Sequence, residues 1–258
     1  RSRLQRVSVY QPYYSHNGFV NMPIDPEKLK HMGPKIAGTP FITRPEDLPE
    51  IIPIFPLAGV LLLPGGRLPL NIFEPRYLAM VEEALSHKRL FGMVQPTGIT
   101  NPDGSSQIFK VGCAGRIHSY NETDDGRLLI SVVGVCRFRI RAETEIRHGF
   151  RSAKAEWDDY LGDLTDCTKP ACVDRDKLMQ HMKCYFKLQG VAGDWDAIEK
   201  TNDNKLITSL AMICPFQPSE KQALLEAKTI EERCRLLTTL MDMALLGEEN
   251  DDCDTIKH

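Results

Sequence analysis

From Ile51 to about Tyr160 the apolar positions fall in short runs broken by Gly and Pro: IIPIF, GVLLLP, LPLNIF, RLFGMVQP, IFKVGCAGRI, GRLLISVVGVCRFRI and FRSAKAEW. Runs of this length and composition, with turn signals between them, predict strands of a closed or nearly closed β structure. Asp124-Asp125-Gly126 lies between two runs and predicts a hairpin turn, because Gly supplies the positive φ. Gly112, Gly115 and Gly134 sit inside strand-like runs and predict bulges or barrel corners. One helix interrupts the strands. Glu74-Pro75-Arg76 opens it with Pro in the first turn, and Leu78, Val81, Ala84 and Leu85 form its apolar stripe.

After Tyr160 the period becomes helical. Asp174 caps a helix with Leu178, Met182, Tyr185 and Leu188 on one side, ending near Gly190. Leu206, Ile207, Leu210 and Ala211 mark a second, stopped by Pro215. Ser219 with Gln222, and Thr229 with Glu232, match capping boxes; Ile230, Cys234, Leu237, Met241 and Leu245 then line the last helix. The order, β-rich and then helical, predicts an α+β chain of two packed subdomains. The expected divisions are an extended arm over 1–49, a β-rich unit over 50–162, a helical unit over 163–247 and an acidic tail over 248–258. The arm shows no sustained period; Tyr10, Tyr13, Tyr14 and Phe19 are its candidate anchors for packing on the globular part or on a partner.

Composition narrows the function classes. A net charge of -3 gives no overall attraction to phosphate, so nucleic-acid binding would need a local basic patch. The strand Arg137, Arg139, Arg141 predicts one, with all three on one side and Phe138 and Ile140 on the other. That stripe reads either as a solvated outer face or as a docking face for an acidic protein or RNA. No apolar run approaches the ~20 residues of a membrane span. Eight cysteines in 258 residues are too sparse for a disulfide scaffold, and Cys136, Cys214 and Cys234 fall at apolar core positions, which predicts a reducing compartment. Arg1, Arg3 and Arg6 with Ser2 and Ser8, and no acid before Asp25, have the character of a mitochondrial presequence or of a mature end beyond one. A mitochondrial matrix location is therefore expected, with a basic flexible tail in a bacterial cytoplasm as the alternative.

The stretches Pro53-Ile54-Phe55-Pro56-Leu57, Leu62-Leu63-Pro64-Gly65-Gly66 and Leu68-Pro69-Leu70-Asn71-Ile72-Phe73-Glu74-Pro75-Arg76-Tyr77 closely resemble the opening signature of the Lon protease N-terminal, substrate-binding domain. Gly92-Met93-Val94-Gln95, Val111 to Ile117, Gly134 to Arg139, Cys214-Pro215-Phe216 and Glu220 to Glu226 continue that pattern in order, over roughly Pro49 to Leu246. The C-terminal part is similar to the stand-alone, alphaproteobacterial-like subgroup. The resemblance implies a PUA-like β barrel followed by a helical bundle, and a binding role. In full-length Lon this module helps recognise unfolded or tagged substrates. Within the signature, Pro56, Pro64, Pro69 and Pro75 restrict the backbone and Gly65-Gly66 forms a tight loop, so Phe73, Glu74, Arg76 and Tyr77 read as structural residues. Glu74 is expected as a first-turn acid and Arg76 as its ion partner.

No catalytic residue and no cofactor is expected. The sequence has no Gly-Lys dipeptide for a phosphate loop, no HExxH helix, no GxSxG elbow and no segment resembling the Lon protease domain. Cys167, Cys172, His181 and Cys184 are the one candidate zinc set, with incidental thiols as the alternative. Three functions follow from these readings. The favoured one is a non-enzymatic module that binds apolar segments of client proteins in a groove between barrel and helices. The others are an accessory subunit of a large mitochondrial assembly held by its arm, and an RNA-binding or zinc-dependent module.

Overall fold

The computed structural model describes residues 44–102, 104–144, 146, 148–165, 173–191 and 193–247. Residues 1–43 of the predicted arm, with its anchors Tyr10, Tyr13, Tyr14 and Phe19, and the acidic tail lie outside the described residues; residues 44–49 are described and carry a 3-10 turn at Pro45–Asp47. The strands are β1 (Ile51–Pro56), β2 (Arg67–Ile72), β3 (Leu90–Val94), β4 (Pro96–Thr100), β5 (Ser106–Ile108), β6 (Val111–Glu122), β7 (Leu128–Glu143) and β8 (Arg151–Glu156). Helix α1 (Pro75–Ser86) separates β2 from β3. A 3-10 turn (Asp158–Leu164) leads to α2 (Arg175–Leu188), α3 (Trp195–Lys200), α4 (Asp203–Ile213), α5 (Pro218–Glu226) and α6 (Ile230–Gly247). Among the described residues no helix is long and apolar enough to cross a membrane.

The strand pairings close on themselves. β1 pairs in parallel with β3, and β3–β6, β6–β7, β7–β8 and β8–β1 are antiparallel, which returns the chain of pairings to its start. The 16-residue β7 makes this closure. One edge pairs with β6 along most of its length; the other pairs with β2 through Leu128–Val133 and with β8 through Arg139–Glu143. β4 and β5 form a separate hairpin.

Inside the ring Ile52, Ile54, Leu90, Val94, Ile108, Ala114, Phe138, Ile140 and Ala153 make a small core. A larger core joins the outer side of the sheet to α1 and the helices. β3 shows why its sequence is apolar throughout: Leu90 and Val94 enter the inner core while Phe91 and Met93 enter the outer one, so both faces are covered. Phe138 fills the lumen at the expense of its neighbours. A Cβ on Gly92 would lie 2.5 Å from its ring and one on Gly112 2.9 Å from it, so both positions exclude a side chain.

Gly115 and Gly134 meet the expectation of a bulge, since the β6–β7 register shifts where they pair. Gly112 departs from it: its pairing with Phe138 is regular, and the Val94 side chain, the Met93 carbonyl oxygen and the Phe138 ring, all within 2.9 Å of a Cβ there, are the reason for glycine. Pro75 takes the first turn of α1 behind Glu74, and the Asp174 side chain accepts the Lys177 N–H at 3.0 Å at the start of α2. The Ser219–Gln222 capping box is corrected. α5 is capped two residues earlier, at Gln217, with Pro218 in its first turn, and Glu220 accepts the Gln217 N–H at 2.7 Å. Thr229 does cap α6, accepting the Glu232 N–H at 3.1 Å, while the Glu232 carboxylate reaches past it to the Lys228 N–H at 2.7 Å.

A Cβ on Gly134 would sit 2.0 Å from the Leu63 carbonyl oxygen, a backbone atom that cannot rotate away. Gly134→Ala should therefore cost about 3 kcal/mol, the upper part of the range for overpacking, and lower the thermal midpoint by roughly 6–12 °C. Gly66→Ala meets first the flexible Met212 Sδ and should cost about half as much or less; calorimetry of both variants checks the ranking.

Candidate protein-docking surface

The signature segment builds the seam between barrel and helices. After β1, residues 57–66 run without regular structure and carry Val60, Leu61, Leu62 and Leu63 into the outer core, where all four are buried. A buried irregular segment leaves its backbone groups without ladder partners, and each unpaired group costs about 1–3 kcal/mol. Side chains from both subdomains meet that need. Gln95 accepts the Gly59 N–H at 3.0 Å and donates to the Val60 carbonyl at 3.0 Å. From α5, Lys221 Nζ donates to the carbonyls of Gly59 (2.8 Å) and Met212 (3.3 Å), and Gln222 Nε2 donates to that of Val111 (3.1 Å). Gly65, with φ +77°, donates to the Gly134 carbonyl at 2.9 Å. The chain's own residues 57–63 thus occupy space between barrel and helices, where an apolar groove was expected.

The basic stripe is corrected as well. Phe138 and Ile140 do face the inner core, but Arg137 on the opposite side is buried, with 5 % of its surface exposed. Its Nε and Nη2 each donate at 2.8 Å to the two oxygens of Asp163, and its backbone N–H donates to Asp163 Oδ2 at 3.0 Å. Nη1 reaches α5, donating to the carbonyls of Leu225 (3.0 Å) and Ala227 (2.6 Å). The guanidinium lies 4.6 Å from the centre of the Tyr160 ring. Arg233, also buried, donates from Nε to the Leu224 carbonyl at 2.9 Å. Two cations therefore satisfy the carbonyls at the C-terminal end of α5, where the helix dipole is negative. Exposed Arg139 pairs with Asp159 at 3.0 Å and Arg141 with Glu156 at 3.7 Å, so the stripe is neutralised from end to end.

At the start of α1, Arg76 Nε and Nη2 both donate to one oxygen of Glu74, at 3.0 and 2.8 Å. The guanidinium also lies 4.6 Å from the Tyr77 ring centre, and Tyr77 packs 4.3 Å from Phe55. Pro56 ends β1 and Pro64 bridges to Gly134. Pro69 lies in β2, which pairs only with β7 among the described strands. Phe73 has the Arg127 guanidinium 5.9 Å from its ring centre. Of the candidate zinc set, Cys167 and Cys172 lie outside the described residues. His181 has both ring nitrogens engaged, Nδ1 at 2.6 Å from the Lys177 carbonyl and Nε2 at 3.0 Å from Asp242 Oδ1. Cys184 is half-buried. Sequence reasoning missed Asp163, Lys221, Gln95 and Arg233; the one available signal was a charged residue inside the apolar run GVCRF.

Among the described residues, the large apolar side chains left exposed are Ile51 at the head of β1, Ile99 on the β4–β5 hairpin, Tyr120 near the end of β6, Ile146, Ile213 at the end of α4, and Met243 and Leu246 late in α6. Met243 and Leu246, three apart, share a face of α6. Over residues 51–243 the sequence matches the family described as ATP-dependent protease La (LON) substrate-binding domain. The chain belongs to that family. The match takes in β1 and nearly all of α6, so this LON substrate-binding domain includes both the barrel and the helices.

Among its relatives are the Lon protease of Anaeromyxobacter dehalogenans, 23% identical over 207 residues, and that of Escherichia coli K12, 27% identical over 197 residues. These alignments cover 80% and 74% of this chain but only 24% of either relative. The chain thus spans about a quarter of the length of the Lon proteases it matches. The Lon N-terminal domain protein of Xanthomonas campestris shares the fold, with a TM-score of 0.50 at 21% identity over 73% of this chain and 97% of its own.

Removing Arg137 from this LON substrate-binding domain strands the Asp163 carboxylate and the α5 carbonyls. Arg137→Ala should lose about 3–5 kcal/mol in urea titrations, as expected when one partner of a buried pair is deleted. Burial also raises the thiols: Cys136 and Cys214 go from 9.0 to about 12, and Cys113 and Cys234 move up too. A raised folded value means that the folded state holds the proton longer, so stability is lost as pH rises above 9.0, by up to about 1.4 kcal/mol per pH unit for each thiol. Buried Lys221, lowered from 10.5, gives an opposite slope below that value. Four thiols outweigh one ammonium, so the thermal midpoint should fall between about pH 8 and about pH 10.

Proposed function

We propose that this chain is a non-catalytic protein-recognition module that binds unfolded or apolar segments of client polypeptides. The observation that carries the reading is the extent of the family match: a domain described as substrate-binding, in an ATP-dependent protease, is matched from the first strand of the barrel to the last helix. A protease substrate is a polypeptide, so the ligand class follows from the description. One feature of the surface weighs against the RNA alternative. The arginine stripe that would have favoured RNA is buried at Arg137 and paired at Arg139 and Arg141.

The test is fluorescence anisotropy with a labelled polypeptide held unfolded by reduction and carboxymethylation, against the same polypeptide in its folded form. Binding of the unfolded form with Kd on the order of micromolar, and weaker binding of the folded form, is the expected result. Equal affinity for both, or no binding of either, would sink the proposal.

A further inference from the structure

Among the described residues, β6 presents an unpaired strand edge. β3 pairs with β6 only as far as Leu90 against Arg116, and the Ile117 N–H makes the last contact on that side, donating to the Arg89 carbonyl at 2.9 Å. β6 continues to Glu122, held on its other edge by β7. Among the described residues, no strand pairs with 118–122 on the outer side, and His118, Tyr120, Asn121 and Glu122 are exposed.

The ladder fixes which backbone groups face outward. The Gly134 N–H donates to the Gly66 carbonyl, so the even-numbered residues of β7 here bond toward β2 and the odd-numbered ones toward β6. Leu129 and Ser131 then bond to Asn121 and Ser119, which leaves the N–H and C=O of Tyr120 and Glu122 pointing away from β7. The other open edge, on β2, is spoiled for pairing: by the same alternation Pro69 stands where an outward N–H would be. No such block stands on β6.

We propose that residues 118–122 of β6 are the docking edge for client polypeptide, which adds to the barrel as a short antiparallel or parallel strand in line with β3. This rests on the reading of the chain as a polypeptide-binding module. An alternating row of outward donors and acceptors is complementary to an extended peptide backbone. The side-chain preference also follows from register. Tyr120 pairs with buried Ile130 and stands on the face that continues into the outer core, yet it is 55 % exposed. An added strand would lay every second side chain beside Tyr120, where an apolar residue covers it, and the alternate ones beside Ser119 and Asn121, where polar residues are accepted. The preferred client segment is therefore about five residues long, extended and alternately apolar.

The test is hydrogen exchange of the backbone amides of the full chain, with and without the reduced, carboxymethylated polypeptide, beside binding by Tyr120→Pro and Tyr120→Ala. Proline removes the outward N–H without touching the β6–β7 ladder, and alanine keeps that N–H; circular dichroism confirms that both fold. The expected result is fast exchange at Tyr120 and Glu122 in the free protein, protection on adding the polypeptide, and about tenfold weaker binding by Tyr120→Pro than by Tyr120→Ala. Binding without protection at these amides, or undiminished in Tyr120→Pro, overturns the docking edge and leaves the proposed function standing. Protection already present in the free protein, whether from a second copy or from the chain's own residues 1–43, also overturns it. If the wild type binds no unfolded polypeptide, the reading on which this proposal rests fails with it.

Discussion

Arg137 sets the relation between the two subdomains, because a guanidinium can be buried only where nearly all of its donors find acceptors. β7 carries it, Asp163 after the last strand takes one fork of it, and the end of α5 takes the other. No one element can satisfy it. The barrel, the 3-10 turn and α5 must stand in a single arrangement for the charge to be paired, and Tyr160 closes over its face. The pair need not add net stability over an apolar substitute. Its effect is specificity, since a displaced helix would leave a charge and several carbonyls unpaired at once.

The segment 57–66 depends on the same arrangement. It is the part of the seam with no ladder of its own, and its carbonyls are held by Gln95 from the barrel and Lys221 from α5. The leucines of this segment occupy space between the subdomains. Ring closure has removed most strand edges and Pro69 has spoiled another for pairing.

Element boundaries were legible in the sequence wherever the signal was local. Pro75 after Glu74, Asp174 ahead of α2 and Pro215 behind α4 act on the few residues beside them, and the elements start and stop there. The α5 start shows the limit: Ser219 with Gln222 offered a hydroxyl box, but Pro218 with Glu220 competes for the same turn and wins by pre-setting φ. That residues 57–63 lie between the subdomains was not legible, because apolar runs reveal that a segment is buried and not what it is buried against.

The sequence by itself determined the division into strands and helices, the proline- and glycine-pinned signature, and through it the family. Those properties are written in residue periods and local backbone preferences. Tertiary structure alone decided that Arg137 is interior while Arg139, two residues on along the same side, is exposed. It also decided that β6 outruns β3 and leaves an edge. Both facts depend on which distant segment lies alongside a strand, and no local period carries that information.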